Sequence, residues 1–227
     1  MVYNGFSTDY DTMHEVYLQG AELEDRFGFP ILDPVFVKPE NSISLPKSIK
    51  NIKTKNTIVH CYVEDSYLEP VWKDARRYVD NLLYYPCMVM PDLTVTAFMP
   101  PAMQVWNRFR NMALARYFCD LGITVVPSLG VLSDKDSDFM LYGMPEDSTV
   151  AVSTKGRLRK KEEHKLFMSG LYHVLDIIKP RNLLMFGSIP SDWTEPLPTT
   201  YFETEGLGGK LQSCKHEKDE KLAEEED

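Results

Sequence analysis

Residues 57–65 read TIVHCYVED, a β-branched and apolar run that ends in the acidic pair Glu64-Asp65. A run this short, apolar throughout and bounded by polar residues, reads as a strand buried on both faces. The next segment has a different period. Between Leu68 and Leu83, Val71, Ala75, Tyr78, Val79, Leu82 and Leu83 recur at helical spacing, while Lys73, Asp74, Arg76, Arg77 and Asp80 mostly fall elsewhere. One amphipathic helix is expected there. Pro86 marks its exit, and Cys87–Met90 gives a second apolar strand closed by Pro91-Asp92.

The alternation continues downstream. Pro100-Pro101 opens a helix that runs to about Asp120 and stops at Leu121-Gly122, where glycine suits the left-handed residue after a helix end. Ile123–Pro127 is a third strand, followed by a long polar loop with one apolar stretch at Phe139–Tyr142. Thr149–Ser153 is a fourth strand, a basic turn spans Lys155–Lys161, and a helix covers Glu162–Ile178. Asn182–Phe186 forms a fifth strand that ends at Gly187-Ser188. Apolar strands alternating with amphipathic helices predict an α/β fold, with a largely parallel sheet of about five strands and flanking helices. Five strands fall short of the eight of a closed β/α barrel, so the expectation is an open sheet or an incomplete barrel.

Outside this pattern lie the two ends. Residues 1–56 read as an N-terminal appendage packed on the core, with a short helix across Tyr10–Phe27 and then a Pro-, Asn- and Ser-rich approach segment. Residues 57–205 form the α/β core, and 206–227 are charged and apolar-poor, which predicts an acidic disordered tail. A chain of 227 residues suits one domain with such appendages.

Composition narrows the function. The formal net charge of −9 argues against a broad nucleic-acid-binding surface, which needs clustered Lys and Arg to displace phosphate counterions. It leaves room for a local basic patch. The N-terminus lacks the basic start and apolar run of a signal peptide, and no apolar run approaches the ~20 residues that span a bilayer. No membrane partner is expected. Cys61, Cys87, Cys119 and Cys214 form no CxxC pair, which fits reduced thiols in the cytoplasm.

In parallel α/β sheets ligands bind beyond the carboxyl ends of the strands. The residues there are Glu64 and Asp65, Asp92, Ser128, Ser153 to Lys155, and Gly187-Ser188. The three carboxylates could hold a divalent cation such as Mg²⁺ or divide acid and base roles. The plain alternative is that each caps the following helix. On the second helix, Gln104, Asn107 and Arg110 form one stripe, with Arg108 and Arg116 nearby. That stripe is either a solvated face or a row of amides and a guanidinium pointing into a cleft. Ser153-Thr154-Lys155-Gly156 could offer backbone N–H groups and an ammonium to a phosphate, although the spacing is not that of a Walker A loop. The five histidines do not converge: His60 reads as a satisfied core residue, and no His or Cys spacing predicts a transition-metal site. No GxSxG elbow occurs.

The stretch PDLTVTAFMPPAMQVWNRFRNMALARYFCDLGITVVPSLGV resembles a bacterial and phage family catalogued as a domain of unknown function, number 4417. The likeness rests on Pro91 and Asp92, the Gln104-x-x-Asn107-x-x-Arg110 helix, Gly122 and Pro127. Gly143-Met144-Pro145, the Ser148–Ser153 strand, Gly170-Leu171 and Phe186-Gly187-Ser188 are also similar, so the resemblance covers roughly residues 30–190. At Leu129-Gly130-Val131 the sequence departs from the aromatic or Arg-Trp pair common in that family, which puts a ligand role for that loop in doubt. The resemblance implies a phage or mobile-element setting, hence the host cytoplasm for a phage-encoded chain, and supplies no reaction.

These residues lead to an expected ligand-binding set of Asp65, Asp92, Gln104, Asn107, Arg110, Ser153 and Lys155, acting on a small polar or phosphorylated, nucleotide-like ligand. No catalytic residue is assigned, and whether the protein is an enzyme stays open. The competing expectation is an interaction factor that binds a host or phage protein through its N-terminal segment or acidic tail. A third is metal-dependent nucleic-acid processing centred on residues 155–161.

Overall fold

A computed structural model of the protein describes residues 2–3, 11, 13–49, 56–132 and 138–203. The tail expected at 206–227 lies outside the described residues. Among these residues seven strands are present where about five are expected. In chain order they are β1 (Asn41–Ser44), β2 (Thr57–His60), β3 (Cys87–Val89), β4 (Val125–Val126), β5 (Thr149–Ser153), β6 (Asn182–Phe186) and β7 (Thr199–Phe202). The helices are α1 (Leu45–Ser48), α2 (Asp65–Lys73), α3 (Arg76–Leu82), α4 (Pro101–Asp120) and α5 (Lys161–Ile178).

Every strand pairing is parallel, in the orders β1-β2-β3-β4 and β5-β6-β7. The two sheets meet where β4 runs on: the Leu129 N–H donates to the Ala151 carbonyl at 2.7 Å, and the Ala151 N–H to the Pro127 carbonyl at 2.9 Å. Strand order thus follows chain order throughout, as in a β/α barrel. No pairing joins β7 to β1 among the described residues, so the barrel is incomplete.

Alternation along the strands explains the layers. Ile58, Val89, Val126, Ala151, Leu184 and Phe202, from β2 to β7, gather in one buried cluster on the inner face. Their neighbours point outward. Val59, Met88 and Val125 pack with residues of α2, α3 and α4, whereas Val150, Val152, Leu183 and Met185 pack with α5. Burial on both faces is why these strands read as continuous apolar runs.

The two extra strands lacked that signal. β1 reads NSIS, and β7 is a four-residue TTYF after a Pro-rich loop. The expected helix over Tyr10–Phe27 reduces to one 3-10 turn at Glu15–Leu18. Gly20 takes φ +77°, and the Glu24 carboxylate accepts the N–H groups of Arg26, Phe27 and Phe29, folding the chain back on itself. The single helix expected over Leu68–Leu83 is two. At the break Asp74 leaves helical geometry, and Tyr17 fills the gap: its hydroxyl donates to the Trp72 carbonyl at 3.0 Å and accepts the Ala75 N–H at 3.1 Å. Backbone groups released by the break are satisfied from the N-terminal segment.

Candidate functional site

The inner mouth of the incomplete barrel, at the carboxyl ends of β2 to β5, holds a cleft of about 520 Å³. Tyr62 and Glu64 follow β2, Asp92 and Val95 follow β3, Leu129 and Leu132 follow β4, and Ser153 ends β5 with Lys155 and Arg157 after it. Leu166 and Phe167 of α5, with Met140 and Phe98, add apolar lining to these polar residues. The volume is that of a small-molecule site, and a mostly apolar lining with a few convergent polar groups is typical of one.

Of the seven residues expected to bind ligand, Asp92, Ser153 and Lys155 line this cleft. The other four do not, and each is bonded to the protein itself. Asp65 accepts the N–H and hydroxyl of Thr94 at 3.0 and 2.9 Å. Gln104 donates to the Met99 carbonyl at 2.8 Å, and Asn107 to the Thr94 carbonyl at 2.6 Å. Arg110 donates to both Glu69 oxygens at 2.9 and 3.0 Å and to Asn107 at 2.6 Å, with its guanidinium near the rings of Trp72 and Trp106. Asn111, which the sequence reading passed over, grips both backbone groups of Leu93 at 2.8 and 3.0 Å.

The polar stripe of α4 is therefore no solvated face, and it is spent on bonds within the protein rather than on lining this cleft. It clamps the irregular segment 93–99, whose backbone has no strand partner, and that segment is one wall of the cleft. The reading in which Glu64, Asp65 and Asp92 share a cation meets a second obstacle: no group of three or more His, Cys, Asp or Glu among the described residues could hold a metal ion.

The basic turn is equally well braced. The Thr154 hydroxyl donates to the Ser188 carbonyl at 2.8 Å, the Thr154 N–H to Phe186 at 2.9 Å, and Arg157 N–H to Thr154 at 3.1 Å. The Lys155 N–H donates to the Ser153 hydroxyl at 3.2 Å. Gly187 sits at φ +111°, and a Cβ there would lie 2.5 Å from the Thr154 hydroxyl, so only glycine lets β5 and β6 end this close together. Lys155 and Arg157 form no ion pair among the described residues, in contrast to Lys160, which pairs with Glu163 at 2.9 Å.

Burial perturbs two charged groups, Asp92 in the cleft and Arg108 behind it. Burial pushes the Asp92 carboxyl up to about 6, against the opposing pull of Arg157 and Arg108 and with a small push from Asp65. Asp92 accepts no hydrogen bond among the described residues. Arg108, on α4, is 1% exposed; burial lowers it to about 10, and Asp92 counters that fall. Its one hydrogen bond, to the Ser128 carbonyl, is long at 3.4 Å, and its Nε and Nη2 have no partner among the described residues. A guanidinium that stays charged at neutral pH is thus buried beside Asp92 with most of its donors unfilled. The sequence carried a faint signal of this, since Arg108 falls in a helix apolar on more than one side.

His60 corrects another expectation. It is buried, but its Nδ1 has no partner among the described residues. Burial lowers it to about 4, with Lys155 and Lys47 contributing, so it faces the inner cluster as a neutral ring beside Tyr62 and Phe186. Tyr62 and Ser128 share a buried hydroxyl pair at 3.0 Å at the base of the cleft.

A family model described as "Domain of unknown function (DUF4417)" matches residues 21–202, which takes in all seven strands. The chain is similar to a Gene 1 protein of Mycobacterium phage D29, with 29% identity over 165 residues that cover 72% of this chain and 61% of that protein. It is similar also to a Gene 1 protein of Mycobacterium phage L5, with 30% identity over 131 residues that cover 58% and 57% of the two chains. The chain spans about three fifths of the length of the curated relatives it matches. No solved structure matches it. No helix among the described residues is long and apolar enough to cross a membrane.

Proposed function

This chain belongs to the DUF4417 family, and from that premise we propose that the cleft at the strand carboxyl ends binds a small phosphorylated, nucleotide-like ligand. One observation carries the reading. The braced turn after β5 presents Lys155 and Arg157, without ion pairs among the described residues, to a cleft whose lining is otherwise mostly apolar. Such a division suits a ligand with an anionic end and a flat or apolar end. Ser153, Lys155 and Arg157 would meet the phosphate, and Val95, Leu132, Met140 and Phe167 the apolar part. Asp65, Gln104, Asn107 and Arg110 would act at one remove, by holding the 93–99 wall in place.

Thermal-shift titration with nucleoside mono-, di- and triphosphates, with and without Mg²⁺, tests this. A ligand present at 100 times its Kd stabilises the folded state by about 2.7 kcal/mol. The expected result is a rise in melting temperature that the double variant Lys155→Ala/Arg157→Ala abolishes while keeping its own unliganded transition. If no phosphorylated compound moves the wild-type transition at any concentration up to the millimolar range, the reading is wrong.

A further inference from the structure

The proposed site contains a charge conflict. Lys155 and Arg157 line the cleft with three carboxylates, Glu64, Asp92 and Glu163. Glu163 is neutralised by Lys160, and Glu64 is exposed at the rim. Asp92 is different: it is half-buried in the cleft, it carries no hydrogen bond among the described residues, and its ionised form would repel an anion seated on the basic turn. We propose that Asp92 binds the ligand as a neutral acid, donating a hydrogen bond to an anionic oxygen whose charge is met by Lys155 and Arg157. The inference rests on the anion-binding reading of this cleft and adds a role to it: Asp92 determines specificity for an oxyanion and couples its binding to uptake of one proton.

The surroundings of Asp92 support this. From α4 it faces Arg108, from the turn after β5 it faces Arg157, and from α2 it faces Asp65, while buried Cys61 and Tyr62 lie on the β2 side. The buried Arg108 charge persists whatever the state of Asp92. With Asp92 neutral, Arg157 in the cleft and the buried Arg108 behind it no longer have that carboxylate to offset them, and the surroundings of Asp92 become net cationic. An arriving oxyanion then replaces the carboxylate as their counter-charge, and the Asp92 proton supplies a donor. The carboxyl, pushed to about 6, needs little further help to stay protonated beside an anion.

Sulfate is the probe, because unlike phosphate it does not titrate between pH 5 and 8. If only the neutral form of Asp92 is competent, affinity scales with the neutral fraction, so the wild type binds sulfate about twentyfold more tightly at pH 5.5 than at pH 7.5. Calorimetry at pH 7 in buffers of different ionisation enthalpy reads about one proton taken up per sulfate. Asp92→Asn keeps a donor and cannot ionise, so its affinity is flat with pH and exceeds that of the wild type at pH 7.5. Sulfate binding that is lost in Lys155→Ala/Arg157→Ala but shows no pH dependence and no proton uptake overturns the role of Asp92 and leaves the site intact. No sulfate binding at any pH removes both. The proton count is measured on the wild type, so the outcome stands even if a variant folds poorly.

Discussion

Replacing Asp92 by Asn should make this protein more stable at neutral pH, by an amount the structure fixes approximately. The carboxyl has an ordinary value of 3.8 and is pushed to about 6 in the fold, mainly by burial. Asp92 therefore binds its proton more tightly in the folded than in the unfolded chain. For a carboxyl raised in this way, stability falls as pH rises from the unfolded value near 3.8 through the folded value near 6, and the full cost persists above that. At 1.36 kcal/mol for each tenfold change in proton affinity, the ionised side chain costs about 3 kcal/mol at pH 7.5. An Asn of the same shape avoids this cost, and for a chain of this size the gain corresponds to roughly 6–12 °C in melting temperature. Urea denaturation of both proteins at pH 4 and pH 7.5 is the assay. The difference between them should be near zero at pH 4, grow through pH 5 to 6, and level off above pH 7. Comparing variants cancels the opposite contribution of carboxylates such as Asp147, which Arg181 holds low. A variant equally or less stable than wild type at pH 7.5, or a difference independent of pH, would refute the argument that Asp92 is held against its preferred state. A group kept at such a cost in a cleft is what a functional role would require.

Other perturbations separate the site from its supports. Arg108→Met removes the buried cation that pulls Asp92 down, so the Asp92 carboxyl should titrate above 6, as read by carboxyl-carbon NMR; an unchanged value would mean that the two do not interact. Arg110→Ala leaves Asn107 and Glu69 without their donor and should cost about 2 kcal/mol of stability in urea denaturation. Because Arg110 does not line the cleft, sulfate affinity in that variant should fall only as far as the 93–99 wall loosens, well short of the effect of Lys155→Ala/Arg157→Ala. Tyr17→Phe unpairs the Trp72 carbonyl and the Ala75 N–H together and should cost about 2 kcal/mol, a loss absent if the N-terminal segment does not dock at the α2–α3 break. Gly143→Ala forces a Cβ to 2.4 Å from the Pro30 carbonyl oxygen at φ +75°, and a drop of about 2 kcal/mol or more is expected by the same assay.

Local periodicity determined much of this molecule. β5 and β6 coincide with the apolar runs read from the sequence, and α4 and α5 end where Gly122 and the Lys179-Pro180 step place them. The parallel arrangement follows from the same alternation, because a strand buried on both faces needs helices on its crossovers, and it directs attention to the carboxyl ends of the strands, where the cleft lies. That Asp92, Ser153 and Lys155 would line one cleft was legible for that reason: a residue at the carboxyl end of such a strand has only one place to be.

What the tertiary structure decided concerns partners. β1 and β7 carry too few apolar residues to declare themselves, and they become strands because β2 and β6 offer them edges to pair with. The helical spacing of Gln104, Asn107 and Arg110 puts them on one stripe, but spacing cannot say that the stripe meets the backbone of 93–99 rather than water or ligand. Nor could it distinguish Arg108, one position along, as the side chain that is carried inside. Period reports which residues share a face; burial and charge coupling depend on what the fold brings against that face. The energetics of the Asp92–Arg108–Arg157 group arise only when β3, α4 and the turn after β5 converge.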